Sequence, residues 1–469
     1  PADGGRFHFK AAVKLIMASF LHTLLFFVIT LAVLISFHEF GHFWVARRVG
    51  VKVIRFSVGF GKPLWRYQKN SAETEYVIGA IPLGGYVKML DEHEGDVDSE
   101  DLPYAFNRQS LKARTAIVLA GPLFNLLLAV VIFWGLLVQG ERALRPLLGE
   151  IKAGTIAEQA GFSRGDEILE VDGRETPTWS LAMSYIFSRA VDPDDIPVRV
   201  RTADGVLEDR VLGISEEDSM NPSHLQSRIG FEPWEPELPP RIKEVRENGS
   251  AAKAGLESGD LVVTADGVDV ADWNQWVSIV QGSPAKTIRT VVDRDGVLVT
   301  LDITPALVQS KNGGIGQIGA TVQVPEGMLE NLTVQYSLGV FPALGAAIRK
   351  VTDFSLLTVK MMGKLLVGKA SVENLSGPIS IAQYAGESAT MGATYFLKFI
   401  AIVSISLGVL NLMPIPVLDG GHLLFFAIEA IKGSPVSVTV QLIGQQIGIL
   451  LLFCLMGLAF FLDIERILM

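Results

Sequence analysis

Residues 20–42, FLHTLLFFVITLAVLISFHEFGH, join a long apolar stretch to two histidines and a glutamate. Residues 20–37 contain no Asp, Glu, Lys or Arg, and the same is true of residues 115–138, 399–418 and 447–462. A helix needs ~20 apolar residues to cross the hydrocarbon core of a bilayer. The chain is therefore predicted to be a polytopic α-helical membrane protein with four transmembrane helices.

Composition excludes several other classes of protein. Hydrophobic residues make up 49% of the 469 residues and charged residues 19%, which leaves ample apolar surface for a folded core and argues against disorder. The net charge of −10 argues against nucleic acid as a partner, because phosphate binding needs clustered Lys and Arg. A single cysteine, Cys454, rules out a disulfide or a cysteine-rich zinc site within one chain.

Basic residues predict the orientation in the membrane. They follow the first apolar stretch and precede the second, at Arg47, Arg48, Lys52, Arg55, Lys112 and Arg114. Lys and Arg are enriched in cytoplasmic loops, so residues 44–114 are expected inside and residues 140–395 outside, in the periplasm of a two-membrane bacterium. Residues 1–16 are interpreted as a tag or upstream remnant, because Met17-Ala18-Ser19 resembles a natural start.

The soluble region contains an internal repeat. GTIAEQAGFSRGD at 154–166 returns as GSAAKAGLESGD at 249–260, and each copy continues into an apolar stretch that ends in an Asp-Gly pair. A period of about 94 residues suits two tandem small domains rather than a solenoid. The pattern resembles PDZ domains, which are α+β folds that bind peptide ends at a sheet edge.

That resemblance implies a peptide-binding loop in the first copy. Ile229, Gly230 and Phe231 resemble the carboxylate-binding loop, whereas residues 318–320 of the second copy depart from the pattern. Capture of periplasmic peptide ends is therefore expected at the first copy. The alternative is that both domains are spacers or size filters that bind no peptide.

The residues after the first apolar stretch predict a metal site. His38-Glu39-Phe40-Gly41-His42 is an H-E-x-x-H motif, and residues four apart share one helix face, so both imidazoles can bind one zinc ion. Glu39 lies beside them as a candidate general base. Histidines and a glutamate at membrane depth are costly unless they have a function.

A catalytic zinc needs a third protein ligand and one open position. Asp419 is the first charged residue after 399–418 and follows two prolines, so it is the candidate. From position alone, Asp419 could instead mark the membrane interface and cap the next helix. His422 is expected to be a neighbour rather than a ligand.

Together the two motifs, His38 to His42 and N-L-M-P-I-P-V-L-D-G at 411–420, resemble those of the site-2 protease family of intramembrane zinc metalloproteases. The resemblance implies one Zn²⁺ per chain held by His38, His42 and Asp419. It also implies a membrane-dipping β-hairpin at 74–90, whose residues Gly84, Gly85 and Tyr86 would bind substrate backbone. Asn411 is a candidate for the same role or for stabilising the oxyanion, and an interhelical hydrogen bond is the alternative.

The expected division of the chain is a remnant at 1–16, a membrane region at 17–140, PDZ-like domains at 143–235 and 236–328, a linker with an amphipathic helix at 329–393, and a second membrane region at 394–469. The expected substrates are single-span proteins of the inner membrane that have already been trimmed, such as an anti-sigma factor of an envelope stress response, or signal-peptide remnants. A non-enzymatic scaffold whose PDZ pair recruits peptides is the main alternative, and a zinc transporter is another.

Overall fold

The computed structural model describes residues 4–70, 73–93, 95–220, 222–310, 313–325, 327–328, 330–369 and 376–468. Within these ranges, four helices are long and apolar enough to cross a membrane, which confirms the predicted four spans. They are Met17–Arg48, Leu111–Gln139, Ala393–Leu412 and Val438–Arg466. The third begins at Ala393, before its uncharged stretch, and ends at Leu412, because Pro414 and Pro416 cannot continue a helix.

The first helix leads into a small sheet. Helix α1 (Gly4–Arg48) is followed by β1 (Val53–Tyr67) and β2 (Glu75–Met89), which form one sheet. Residues 55–58 lie opposite residues 85–88 on one side and residues 75–78 on the other. The expected hairpin, in which residues 74–81 pair directly with residues 86–90, is therefore wrong, because β1 lies between these two segments.

Two short 3₁₀ turns, Leu102–Tyr104 and Phe106–Arg108, connect this sheet to α2 (Leu111–Gln139). Ser110 caps α2, since its hydroxyl accepts a hydrogen bond from the Ala113 amide. Helix α2 is the central helix of the membrane region and packs against both α1 and the third span. It contains Gly121, Pro122 and Asn125, all buried.

The first repeat forms a compact module with its own core. Its elements are β3 (Glu141–Leu144), α3 (Ile156–Gln159), β4 (Glu167–Val171), β5 (Arg174–Glu175), α4 (Trp179–Arg189), β6 (Asp195–Arg201), β7 (Leu207–Gly213), α5 (Glu216–Met220) and α6 (Pro222–Ile229). The sheet order is β5-β4-β6-β7. Its buried cluster includes Ile168, Ile186 and Ile196.

The second repeat builds the same arrangement. Its elements are β8 (Ile242–Val245), α7 (Ser250–Lys253), β9 (Leu261–Ala265), β10 (Val268–Asp269), α8 (Trp273–Gln281), β11 (Ile288–Arg294) and β12 (Val297–Ile303). The sheet order β10-β9-β11-β12 matches that of the first module. The repeated Asp-Gly pairs adopt the same turn, with Asp172 and Asp266 at φ 51° and 50°.

Four further strands follow β12, and the last of them connects the modules to the membrane region. They are β13 (Ala306–Ser310), β14 (Gly313–Gln317), β15 (Ala320–Val322) and β16 (Thr333–Tyr336). Strand β15 pairs with β8, whereas β16 pairs with β3, the strand that directly follows the second span. The chain therefore leaves and re-enters the membrane region through one two-stranded ribbon.

The C-terminal part is helical, with α9 (Val340–Leu366), α10 (Pro378–Met391), α11 (Ala393–Leu412), α12 (Asp419–Lys432) and α13 (Val438–Leu468). Helix α9 is the expected amphipathic helix. Ala347 and Val351 pack in one cluster with Phe133 and Ile405 of the spans, whereas its polar side forms ion pairs with the first module, such as Asp353 with Arg174. It is thus a packing helix between the first module and the spans.

Candidate metal centre

Three predicted ligands converge at the end of the first span. In α1, His38 and His42 lie one turn apart, with their Nε2 atoms 3.2 Å from each other. Asp419 is the first residue of α12, and its Oδ2 lies 3.1 Å from His38 Nε2 and 3.5 Å from His42 Nε2. The side chains come from segments far apart in the sequence, and they meet in the interior of the membrane region.

The hydrogen bonding of His42 favours a cation at this convergence. His42 Nδ1 lies 2.8 Å from the Ile117 carbonyl oxygen, which can only accept, so Nδ1 carries the proton. In the neutral ring, Nε2 then presents a lone pair toward Asp419 Oδ2, which is buried without a hydrogen-bond partner. Lone pairs that face each other in a buried site repel unless a cation lies between them.

The spacing of the three atoms suits zinc. Ligands about 2.0–2.1 Å from a tetrahedral zinc ion lie roughly 3.3 Å from one another, close to the three distances observed here. Two imidazoles and one carboxylate also form a donor set that is typical of catalytic zinc sites. The residues present therefore fit a Zn²⁺ ion with one coordination position left for water or substrate.

Glu39 faces the same cavity as these three residues. The cavity measures about 420 Å³ and is lined by His38, Glu39, His42, Gly85, Tyr86, Val87, Met89, Asp91, Phe106, Ile117, Val118, Asp419 and His422. Glu39 is half-buried, so its carboxyl group can exchange protons with water in this space. His422 contributes to the wall, as expected of a neighbour of the site.

Of the three residues of β2 that are predicted to bind substrate, the sheet brings two to the cavity. Gly85 packs so closely that a β-carbon there would lie 2.9 Å from Glu39 Cγ, and Tyr86 lines the wall beside it. The third, Gly84, adopts φ 155° and packs against the Phe60 ring instead. Residues 85–86 thus lay a stretch of backbone directly beside the candidate general base.

The segment before Asp419 is tightly folded. Helix α11 ends at Leu412, and Val417 has φ 142°, an unusual value for a β-branched residue. The segment packs beneath α12, since a β-carbon on Gly420 would lie 2.1 Å from the Met413 carbonyl oxygen. Asn411 lies in the last turn of α11, half-buried, and is absent from the described residues that line the cavity.

Helix α2 also supplies contacts to the candidate site, and Asn125, a polar residue within the second span, is expected from the sequence to contact the helix that carries the histidines. Ile117, Gly121 and Asn125 are spaced four apart and form one stripe facing His38 and His42. The Asn125 amide nitrogen lies 3.3 Å from His38 Nδ1, and the Ile117 carbonyl oxygen lies 2.8 Å from His42 Nδ1. The shared four-residue spacing of Gly121–Asn125 and His38–His42 was the available signal.

The repeats place their candidate peptide sites differently from expectation. In the first module, Ile229 and Phe231 are buried in the core, and the Gly230 amide already donates to Gln226. In the second module, a groove of about 520 Å³ runs between α8 and residues 316–321 and is lined by Trp273 and Trp276. This groove therefore belongs to the copy whose loop departs from the pattern.

These features together define a membrane-embedded metalloprotease: a pair of helical histidines, an adjacent glutamate and a distant aspartate, converging between apolar helices. The chain belongs to peptidase family M50, the site-2 protease family, whose family model matches residues 26–455.

Full-length relatives support this assignment. The chain is 43% identical over 458 residues to the regulator of sigma-E protease RseP of Salmonella typhimurium strain 14028s, covering 96% of this chain and 100% of that protein. It is 42% identical over 455 residues, with the same coverage, to RseP of Escherichia coli K12. A Vibrio cholerae relative, also 42% identical over 455 residues with that coverage, is described in its name as a zinc metalloprotease.

Proposed function

We propose that the protein is a zinc endopeptidase of the bacterial inner membrane that cleaves the transmembrane segments of single-span proteins. The observation that carries this proposal is the approach of His38, His42 and Asp419 to within 3.5 Å of one another between apolar helices. A zinc ion held there would lower the pKa of a water molecule and polarise a peptide carbonyl. One ion per chain is expected.

Glu39 would act as the general base and then the general acid. Its carboxyl group lies in the same cavity as the ligand set and is half-buried, so it can take a proton from the attacking water. After the peptide bond breaks, the same carboxyl group returns that proton to the leaving amine. The close contact of Gly85 with Glu39 Cγ would hold the carboxylate on the cavity side.

The backbone at 85–86 would position the substrate. A transmembrane helix hides its amides, so it must unwind locally before hydrolysis, and its freed backbone groups then need partners. Gly85 and Tyr86 line the wall and offer an extended segment beside Glu39. Gly84 would shape this segment through its unusual backbone angle, and Asn411 would contact the substrate outside the described cavity wall.

We infer that the cavity opens toward the cytoplasm and that the two modules lie in the periplasm. Arg47 and Arg48 end the first span and Arg114 begins the second, which fits the enrichment of basic residues in cytoplasmic loops. The modules lie between the second and third spans, so they belong on the opposite side of the lipid bilayer.

The modules are proposed to be PDZ-like domains that filter substrates by size. The shared strand order of their sheets supports a duplicated domain, and the groove beside α8 in the second module offers a site for a periplasmic peptide end. Ile229, Gly230 and Phe231 remain the corresponding candidates in the first module. Two of the relatives are named regulator of sigma-E protease, and the proposed substrate is an anti-sigma factor of an envelope stress response. Signal-peptide remnants are a second proposed substrate.

Glu39→Gln tests the proposed chemistry directly. The full chain in detergent is expected to retain zinc but to cleave a single-span model substrate roughly 10²–10⁴-fold more slowly, the usual contribution of a general base. Asp419→Ala should lose both zinc and activity. A Glu39→Gln variant that cleaves at the normal rate would refute the proposed role of Glu39 and favour a different site.

Deletion of residues 143–325 tests the size filter. The shortened enzyme is expected to cleave untrimmed substrate that the full chain leaves intact. The same deletion carrying Glu39→Gln serves as the inactive control. If the shortened, active enzyme still rejects untrimmed substrate, the filter proposal fails while the proteolytic function stands.

A further inference from the structure

Asn125 is a buried polar side chain that the catalytic scheme above does not use. It is 0% exposed within α2, and its backbone carbonyl accepts a hydrogen bond from the Ser404 hydroxyl of α11 at 2.8 Å. Its amide nitrogen lies 3.3 Å from His38 Nδ1, whereas its amide oxygen is buried without a hydrogen-bond partner. A buried, unsatisfied oxygen this close to a candidate metal ligand calls for an explanation.

The two possible tautomers of His38 require opposite orientations of this amide. If His38 Nε2 is to bind a metal ion, its lone pair must be free, and the proton must lie on Nδ1. Nδ1–H and the Asn125 NH₂ group would then be two donors facing each other. Rotating the amide by 180° exchanges its nitrogen and oxygen at almost unchanged shape and turns the unsatisfied oxygen into the acceptor for Nδ1–H.

We propose that Asn125 is the positioning residue for the metal ligand His38, accepting a hydrogen bond from Nδ1–H and thereby directing Nε2 to the ion. The inference rests on the proposed metal site. It completes a symmetrical pattern, because the other histidine, His42, has the Ile117 carbonyl at 2.8 Å from its own Nδ1. Both acceptors lie on the same face of α2.

The two acceptors differ in one useful respect. The acceptor for His42 is a backbone carbonyl, which side-chain substitution leaves in place, whereas the acceptor for His38 is a side chain that can be exchanged. Outer partners of metal-bound histidines fix the tautomer and ring orientation, and their loss typically costs about 10–100-fold in metal affinity.

The test compares Asn125→Leu and Asn125→Asp in the full chain in detergent. Leucine keeps the volume but removes the acceptor, and aspartate restores an acceptor oxygen. Apparent Zn²⁺ affinity is measured by competition with a chelator, and the visible absorption bands of the Co²⁺-substituted protein report the ligand geometry. Asn125→Leu is expected to bind zinc about 10–100-fold more weakly with altered Co²⁺ bands, and Asn125→Asp is expected to recover most of the affinity.

Controls separate positioning from packing and from failure of the site itself. Ser404→Ala removes only the hydrogen bond to the Asn125 backbone and should leave zinc affinity nearly unchanged. If Asn125→Leu fails to fold, Asn125→Met supplies a more adaptable apolar side chain for the same comparison. Normal zinc affinity and Co²⁺ bands in a folded apolar variant would overturn the inference, provided that His38→Ala loses the metal. Zinc retained by His38→Ala would instead refute the proposed site.

Discussion

Gly121 and His42 touch across the interface between the first two spans. A β-carbon built on Gly121 would lie 2.3 Å from His42 Nε2, well inside van der Waals contact, and 2.9 Å from His38 Cε1. The space that a side chain would fill at residue 121 therefore adjoins the two imidazoles where they face Asp419. A glycine at residue 121 therefore leaves room for the imidazoles of the candidate metal centre.

Gly121→Ala should consequently weaken zinc binding and slow proteolysis. The added methyl group must displace the ligand nitrogen or push α1 away from α2, and overpacking of this kind typically costs about 1–3 kcal/mol. Gly135→Ala on the same helix is the matched control, because nothing lies within 4 Å of its β-carbon position. Metal content and cleavage rate are measured for both. Normal zinc content in Gly121→Ala would contradict the assigned position of the ion.

Gly448→Ala should also disturb the site, from the side of the fourth span. Its β-carbon would lie 1.9 Å from the Pro416 carbonyl oxygen, in the strained segment that carries Val417 and leads to Asp419. Gly457→Ala on the same helix meets nothing within 4 Å and is the control. We expect the first variant to bind zinc at least several-fold more weakly and the second to match the unmodified protein. Equal zinc affinities would show that the segment adapts without moving Asp419.

The candidate ligands could be predicted because their residue types and spacing are those of a metal site. Two histidines four apart share a helix face, and a lone carboxylate after paired prolines marks an opening in an apolar span. The four spans followed from residue composition alone, since a bilayer demands long uncharged helices. The duplicated module followed from a repeated motif, and the matching sheet orders agree with that reading.

Other parts depended on pairings that local sequence cannot show. The turn signal at 82–86 suggested a hairpin, but the segments on either side of it pair with β1 instead of with each other. The sequence indicates that Asn125 contacts the helix that carries the histidines, but which imidazole Asn125 and Gly121 approach depends on how the two helices pack. The groove beside α8 forms because particular strands approach that helix. A comparison of the loop at 318–320 with the motif of the first copy does not show which strands these are.

Arg114 and Glu429 form an ion pair, and exchanging the two charges tests its contribution to stability. Arg114 Nη2 lies 2.6 Å from Glu429 Oε1, both side chains are only about 15% exposed, and the guanidinium also lies 5.1 Å from the Phe426 ring centroid. This ion pair connects the start of α2 to α12, the helix that begins with Asp419. Arg114→Glu or Glu429→Arg alone should destabilise the folded protein by roughly 1–4 kcal/mol, because a partly buried charge loses its partner.

The double variant, with both charges exchanged, should recover part of that stability. Recovery is expected to be incomplete because the exchange removes the cation–π contact with Phe426. Thermal unfolding and metal content are measured for all four proteins. Strictly additive losses would show that the two side chains do not interact in solution. Exchange of the exposed pair Arg199 and Asp209 provides a comparison, for which about 0.2–1 kcal/mol is expected.

The second module should lose stability in acid through Asp260. Burial acts to raise the pKa of this carboxyl group, but the Arg294 guanidinium and the Glu257 amide stabilise the ionised form more, so the pKa is lowered overall. A folded-state pKa below the unfolded value of about 3.9 means that the ionised form stabilises the fold. That contribution is complete above the unfolded pKa and is lost as the pH falls through the folded pKa.

Asp260→Asn should therefore destabilise the module by about 1.5–3 kcal/mol at neutral pH, the range for hydrogen bonds to charged groups. The stability of the variant module should also depend less on pH in the acid range. The exposed residue Asp269, changed to Asn, is the control. Proteolytic susceptibility of the module in the full chain, followed from neutral pH downward, measures both effects. If the module of the variant is cleaved over the same pH range and to the same extent as that of the unmodified protein, the role given to the Asp260–Arg294 pair is contradicted. Because the pair lies within the second module, whereas His38 and His42 lie in the first span, zinc content at neutral pH should stay unchanged, which separates loss of the module from loss of the candidate metal centre.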